Sequence, residues 1–252
     1  MKKLILLLSI TFLIVSCKKE TETKITSKTS FKTLTKEDSG ISFSNDIIEN
    51  DTLNYFTFPY MYMGGGVAIG DINNDGLSDI YFTGNMTDNK LYVNKGNMQF
   101  DDISKSAGVT GDDRWYTGVT MADVNADGWL DIYVSVSGLY GETKNQLFIN
   151  NQDATFTEQA ENYGLADASY SIQSTFFDYN NDGLLDVFVA NYPIVPVSQG
   201  NQFYFDKMQD NKFEDSGHLY KNNGDATFTD VTTTSGVQNF GMTLGLLASD
   251  FN

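Results

Sequence analysis

Hydrophobic and polar positions fall into three regimes along the chain. Leu4 to Val15 is an apolar run broken only by Ser9 and Thr11, and Lys18 to about Ser39 is a polar stretch of Lys, Thr, Ser and Glu. Beyond it, short apolar and aromatic runs recur. Ile80-Tyr81-Phe82, Ile132-Tyr133-Val134 and Val187-Phe188-Val189 are each followed by a second run, Leu91-Tyr92-Val93-Asn94, Leu147-Phe148-Ile149-Asn150 or Leu219-Tyr220-Lys221-Asn222. A Gly/Asn/Asp turn and Phe100, Phe156 or Phe228 come next, and each copy closes on Gly108-Val109, Gly164-Leu165 or Gly236-Val237. Short runs rich in β-branched and aromatic residues, bounded by turn formers, predict strands and hairpins rather than helices.

A second pattern keeps step with the first. Asp71-Ile72-Asn73-Asn74-Asp75-Gly76-Leu77-Ser78-Asp79 recurs from Asp123 to Asp131 and from Asp178 to Asp186, and opens once more at Asp250-Phe251-Asn252. One strand before each loop, one after it and two around the Asn-rich turn make four strands in a repeat of roughly 50 residues, the size of a propeller blade. The expectation is an all-β chain, a β-propeller of four-stranded antiparallel blades. Blades are expected at about 64–109, 116–165 and 171–237, with a truncated one at 241–252, about three and a half in all. Phe31-Lys-Thr-Leu-Thr-Lys-Glu-Asp-Ser-Gly40-Ile41 echoes the blade endings and is expected to form a lone outer strand able to close the ring. Because the chain stops inside a motif, it is expected to be the N-terminal part of a longer propeller.

The repeated units resemble FG-GAP/VCBS repeats, as found in integrin-type propellers, over residues 31–252. Gly64-Gly-Gly-Val-Ala-Ile-Gly-Asp-Ile-Asn-Asn-Asp-Gly76 is similar to large bacterial lipoproteins that carry such repeats ahead of an ASPIC/UnbV-type module, a module not found in this sequence. The chain start agrees. Met1-Lys2-Lys3 followed by an apolar run of about a dozen residues describes an export signal, too short for the roughly 20 residues that span a bilayer. Ile14-Val15-Ser16-Cys17 resembles a lipobox, which implies removal of 1–16, acylation of Cys17, and 17–40 as a tether. Lys18 stands where the lipoprotein family places an Asp for inner-membrane retention. The expected location is therefore the outer membrane, reached through the lipid anchor only.

Charge narrows the partners. The formal net charge is −17; losing Lys2 and Lys3 with the signal leaves 14 basic against 33 acidic residues, or −19. That acidity argues against nucleic acid and anionic lipid surfaces. Cys17 is the sole cysteine, so disulfides and thiolate metal clusters are excluded. The repeated loops offer hard oxygens at fixed spacing, the chemistry that Ca²⁺ prefers. Candidate ligands are Asp71, Asn73, Asp75, Asp79 and the Leu77 carbonyl; Asp123, Asn125, Asp127, Asp131 and the Trp129 carbonyl; Asp178, Asn180, Asp182, Asp186 and the Leu184 carbonyl; and Asp250 with Asn252. The sixth-position glycine permits the sharp turn. An EF-hand needs Glu at the twelfth position, where Phe82, Val134 and Val189 stand. Mg²⁺ prefers a rigid, partly hydrated octahedron. The alternative for these residues is a set of hydrogen-bonded turns without metal.

Catalytic chemistry has little to work with. His218 is the only histidine and aligns with Lys90 and Gln146, so it is expected at the solvated start of a strand, away from any triad. Arg114 is the only arginine. Gly64-Gly65-Gly66 precedes a strand and not a helix, so it is no phosphate loop. The third copy carries an insertion, about Tyr192 to Gly217, whose Phe203, Tyr204 and Phe205 are candidate ligand contacts. Together these point to a non-enzymatic binding module for an extracellular or envelope glycan or protein. The alternative is a polysaccharide-active enzyme that uses acidic residues on a propeller scaffold.

Overall fold

Three four-stranded antiparallel meanders account for every strand among the described residues. The computed structural model describes residues 31–138, 141–192, 200–209, 217–238, 241 and 243–249. Blade 1 is β1 (Val67–Gly70), β2 (Asp79–Phe82), β3 (Lys90–Asn94) and β4 (Phe100–Asp102). Blade 2 is β5 (Tyr116–Ala122), β6 (Asp131–Val136), β7 (Gln146–Asn150) and β8 (Phe156–Glu158). Blade 3 is β9 (Ser171–Phe177), β10 (Asp186–Asn191), β11 (His218–Asn222) and β12 (Phe228–Asp230). The order within each sheet follows the chain, so each of the three full copies forms one four-stranded sheet, while the described residues of the expected truncated copy, 241 and 243–249, hold no strand. The described residues from Thr35 onward form one compact unit.

The hydrophobic core lies between blades. Tyr81, Leu91 and Val93 of blade 1 meet Val119, Ile132, Val134 and Phe148 of blade 2. Tyr133 and Leu147 of blade 2 meet Val187, Val189, Tyr220 and Phe228 of blade 3. Side chains alternate across a strand, so one set of each strand packs forward and the other backward. Burying one such side chain contributes about 1.5–3 kcal/mol, and a single blade, with both faces apolar, depends on its neighbours for that gain. At the inner rim, β1 runs against β5 and β5 against β9. Thr83 Oγ1 donates to Thr117 O at 2.5 Å and Thr117 Oγ1 to Ser171 O at 2.7 Å. This approach requires glycine at position 66, where a Cβ would stand 2.7 Å from Thr117 O.

Short helices appear that the strand-and-hairpin pattern did not predict. They are α1 (Lys36–Ser39), α2 (Ser104–Ala107), α3 (Ala160–Tyr163), α4 (Asn201–Gln209) and α5 (Thr232–Ser235). In each blade an acid ending the outer strand accepts from the first turn: Asp102 from Ser104 N, Glu158 from Ala160 N, Asp230 from Thr232 N. Gly108, Gly164 and Gly236 then end the turn at φ of 73–75°.

The echo at 31–41 takes this helical form and not the expected strand. Residues 31–35 hold no strand, Thr35 Oγ1 accepts from Asp38 N, and Gly40 ends α1 at φ 80°. Gly40 then lies so close to Phe100 O that a Cβ has no room. Its sister Gly164 stands in the same relation to Phe228 O of the following blade. The echo therefore reproduces the closing turn of a repeat. The next residues run along blade 1, where Phe43 stacks on Phe82 with ring centroids 4.9 Å apart and Ser42 N donates to Tyr92 Oη. Before β1 the chain forms a loop held by Phe58 and Met61 packed with Trp115.

Candidate functional site

The three Asp loops sit at the β1–β2, β5–β6 and β9–β10 turns, at the same end of every blade, and share one hydrogen-bond scheme. In the middle loop Asp123 Oδ1 accepts from Asp127 N, Asp123 Oδ2 from Gly128 N, Asn125 Oδ1 from Asp127 N, and Asp127 Oδ1 from Trp129 N. Asp71, Asn73, Asp75 and Leu77 repeat it, as do Asp178, Asn180, Asp182 and Leu184. The glycine at the sixth position has φ of 85–87°, as the motif requires, and the fourth residue is left-handed as well: Asn74 at 56°, Ala126 at 59° and Asn181 at 57°. Asn74 Nδ2 uses that posture to donate to Gly128 O of the next loop at 3.1 Å.

The ninth-position acid differs from the others because it is fully buried. Asp131 Oδ2 accepts from Val124 N at 3.0 Å, and Oδ1 accepts from Asn150 N across the sheet at 2.8 Å. Asp79 and Asp186 do the same with Ile72 and Asn94, and with Tyr179 and Asn222. Burial, followed by the negative charges of the first and fifth acids, pushes Asp79 and Asp186 up and takes Asp131 to about 6 against backbone hydrogen bonds that pull down. The negative charges of the first and fifth acids thus add to burial in disfavouring the charged form of the ninth, which a cation would relieve.

The donor set is all oxygen and suits a hard cation. Among the described residues no three acid or imidazole groups alone make up a coordination shell. A shell therefore has to include the Asn73, Asn125 or Asn180 amide oxygen and the seventh-position carbonyl. The loops also hold themselves closed with Asx-type hydrogen bonds, so the turn role and the ligand role coexist. Asp250 and Asn252 lie outside the described residues, as does Cys17.

One set of contacts escaped the sequence analysis. Asn150 Nδ2 donates to Leu130 O in its own blade and to Ile72 O in the preceding loop, at 3.1 and 2.8 Å. Asn222 repeats this on Leu185 O and Val124 O. These asparagines tie each loop to its neighbour, and their recurrence at the end of the third strand was the available signal.

His218 is not at a solvated position. Its side chain is 18% exposed and its Nδ1 lies 2.7 Å from Asp167 Oδ2. The same oxygen accepts from Tyr220 Oη at 3.0 Å and from Asn191 Nδ2 at 3.2 Å, while Oδ1 accepts from Ser169 N. Alignment with Lys90 and Gln146 placed the backbone correctly; the carboxylate that draws the ring inward comes from the blade 2–3 connection, far off in sequence. The insertion forms α4 where a loop was expected, with Phe203 half-buried and Phe205 exposed; the Tyr204 side chain lies outside the described residues. Among the described residues no helix is long and apolar enough to cross a membrane.

Three four-stranded blades, each with the same Asp loop between its first two strands, define a repeat protein of the propeller type. A family model for the FG-GAP-like repeat matches residues 55–134 and 136–189, more than half of the chain, and the chain belongs to that family. Among curated proteins it is similar to Cartilage acidic protein 1 of Xenopus tropicalis, 33% identical over 141 residues, which cover 52% of this chain and 20% of that protein. The Homo sapiens protein of the same name is 31% identical over 136 residues, with the same two shares. The Mus musculus protein is 41% identical over 69 residues, 27% of this chain and 11% of that protein. The chain thus spans a fifth or less of the length of these curated relatives.

Proposed function

We propose that this chain is an exported, lipid-anchored calcium-binding blade array that serves as an interaction module for a protein or glycan, without chemistry of its own. The observation that carries the reading is the threefold loop: the same oxygen donors and the same buried ninth-position acid, each set bearing three carboxylates within nine residues. Asp71, Asn73, Asp75 and Asp79 would hold one ion with the Leu77 carbonyl, and the two sister loops would do likewise. Bound calcium would neutralise most of each loop's charge and brace the two strands the loop joins. Rigid blades then present the opposite end, with its longer connections, to a partner.

The test is a thermal melt at matched ionic strength. Calcium binds the folded loop and not the unfolded chain, so at 100 times the dissociation constant one site contributes about 2.7 kcal/mol. Millimolar calcium should raise the Tm by several degrees and a chelator should reverse the rise. Asp127→Ala should shrink the shift without abolishing it. A shift no larger with calcium than with magnesium would leave the loops as turns only.

A further inference from the structure

The end of the blades opposite the Asp loops carries a cavity of about 570 Å³, lined by Leu53, Phe58, Met86 and Trp115 and rimmed by Asp88, Asp112, Asp113 and Arg114. Its walls come from four places: the loop before β1, the β2–β3 connection, the segment leading into β5, and Gly138 just after β6. The rim is acidic in a specific way. Arg114 Nε stands 3.2 Å from Asp112 Oδ1, and its Nη1 donates to Lys144 O. The Nε–Asp112 geometry is poorly aimed for a hydrogen bond, but at that distance the opposite charges still offset each other. Asp112 Oδ1 also accepts from Tyr116 Oη. Asp88 and Asp113 remain: both are exposed and neither has a hydrogen bond or ion pair among the described residues.

The floor decides what those two carboxylates face. Phe58 is 2% and Trp115 8% exposed, so neither ring offers a face on which a sugar could stack, while Leu53 and Met86 are accessible. The same loop also exposes Tyr55, Phe56 and Tyr62, which are not among the residues that line the cavity. An anion would meet two unpaired carboxylates. A lysine or arginine side chain lays its methylene stem on apolar surface while its head stays at a polar rim, which matches this floor and this rim. The chain's net charge of −17 steers cations toward it as a whole.

We propose that this cavity binds a basic segment of a partner protein, with a lysine or arginine stem on Leu53 and Met86 and its charged head between Asp88 and Asp113. The proposal rests on the interaction-module reading and names the class of partner and the surface. The experiment titrates the full chain against a short fluorescent peptide of alternating lysine and serine, with a glutamate–serine peptide and a neutral cello-oligosaccharide as comparisons. The lysine peptide should bind and the other two should not. Asp88→Asn with Asp113→Asn should weaken binding at least tenfold. Asp153→Asn with Asp225→Asn, an equal loss of charge in the turns at the other end of the blades, should leave it unchanged. Equal loss with both pairs would reduce the attraction to overall acidity and overturn the site, as would oligosaccharide binding that the cavity variants abolish, or no peptide binding at all. The calcium melt is run on the same samples: a retained calcium shift without peptide binding refutes the cavity alone, and a lost calcium shift with peptide binding refutes only the metal loops.

Discussion

Replacing Asp167 should be among the most damaging single changes outside the hydrophobic core. Its carboxylate is 6% exposed and accepts from His218, Tyr220, Asn191 and Ser169 N at the junction of blades 2 and 3. Asp167→Ala removes the acceptor shared by the Tyr220 hydroxyl, the Asn191 amide, the Ser169 N–H and the imidazole, at about 1–3 kcal/mol for each buried hydrogen bond lost without a good replacement. The sum is about 3–5 kcal/mol, the range for breaking a buried charged network by removing one partner. His218→Gln, which installs the residue type of Gln146 in blade 2, should cost about 1 kcal/mol, since Gln can still donate to Asp167.

Acid should erase the difference. Burial pushes Asp167 up, but hydrogen bonding and charge from His218, with help from Ser169, outweigh it and hold the carboxyl at about 2, below its ordinary 3.8. A depressed folded-state value means stability fully present above pH 4 and lost as the pH falls through 2, about 2 kcal/mol in all. The assay is urea unfolding of wild type, Asp167→Ala, His218→Gln and the double variant at pH 7 and at the lowest pH at which the wild type stays folded. The gap between wild type and Asp167→Ala should narrow in acid. A loss under 1 kcal/mol at neutral pH, or a gap that widens in acid, would refute the reasoning.

Other outcomes follow from the loops and the chain start. Asn150→Ala leaves Ile72 O and Leu130 O without their side-chain donor and should cost about 1–3 kcal/mol in urea unfolding. Ala126 holds a left-handed conformation at φ 59° that costs an ordinary side chain roughly 1–2 kcal/mol and Asn less; Ala126→Asn should raise the unfolding midpoint, and it restores the residue type of Asn74. Labelled fatty acid fed to a bacterial host should tag the wild-type protein and not Cys17→Ser; equal labelling would remove the lipid anchor.

The all-β class and the three four-stranded antiparallel sheets were legible because they depend on local pattern: alternation within strands, glycine at Gly76, Gly128 and Gly183, and Asp spacing all act over fewer than about ten residues. The closing helical turns were not, because Ser104–Ala107 and Thr232–Ser235 have no amphipathic period; they exist because Asp102 and Asp230 cap four residues before a left-handed glycine. The same blindness turned the 31–41 echo into a strand, since Phe and Gly at matching spacing do not say what lies between them.

What the sequence by itself determined is the repeat, its strands and the oxygen chemistry of its loops, since chain neighbours supply all of these. Tertiary structure alone decided which acids are buried and what they serve. Asp79, Asp131 and Asp186 look like the other loop acids in sequence, yet one oxygen of each accepts from the backbone N–H of Asn94, Asn150 or Asn222 across the sheet and the other from that of Ile72, Val124 or Tyr179. It decided, too, that His218 turns inward to Asp167, 51 positions away, and that Asp88 and Asp113 line one cavity. Burial and charge pairing depend on which blade lies against which, and that is set when apolar faces close on one another, not by any spacing along the chain.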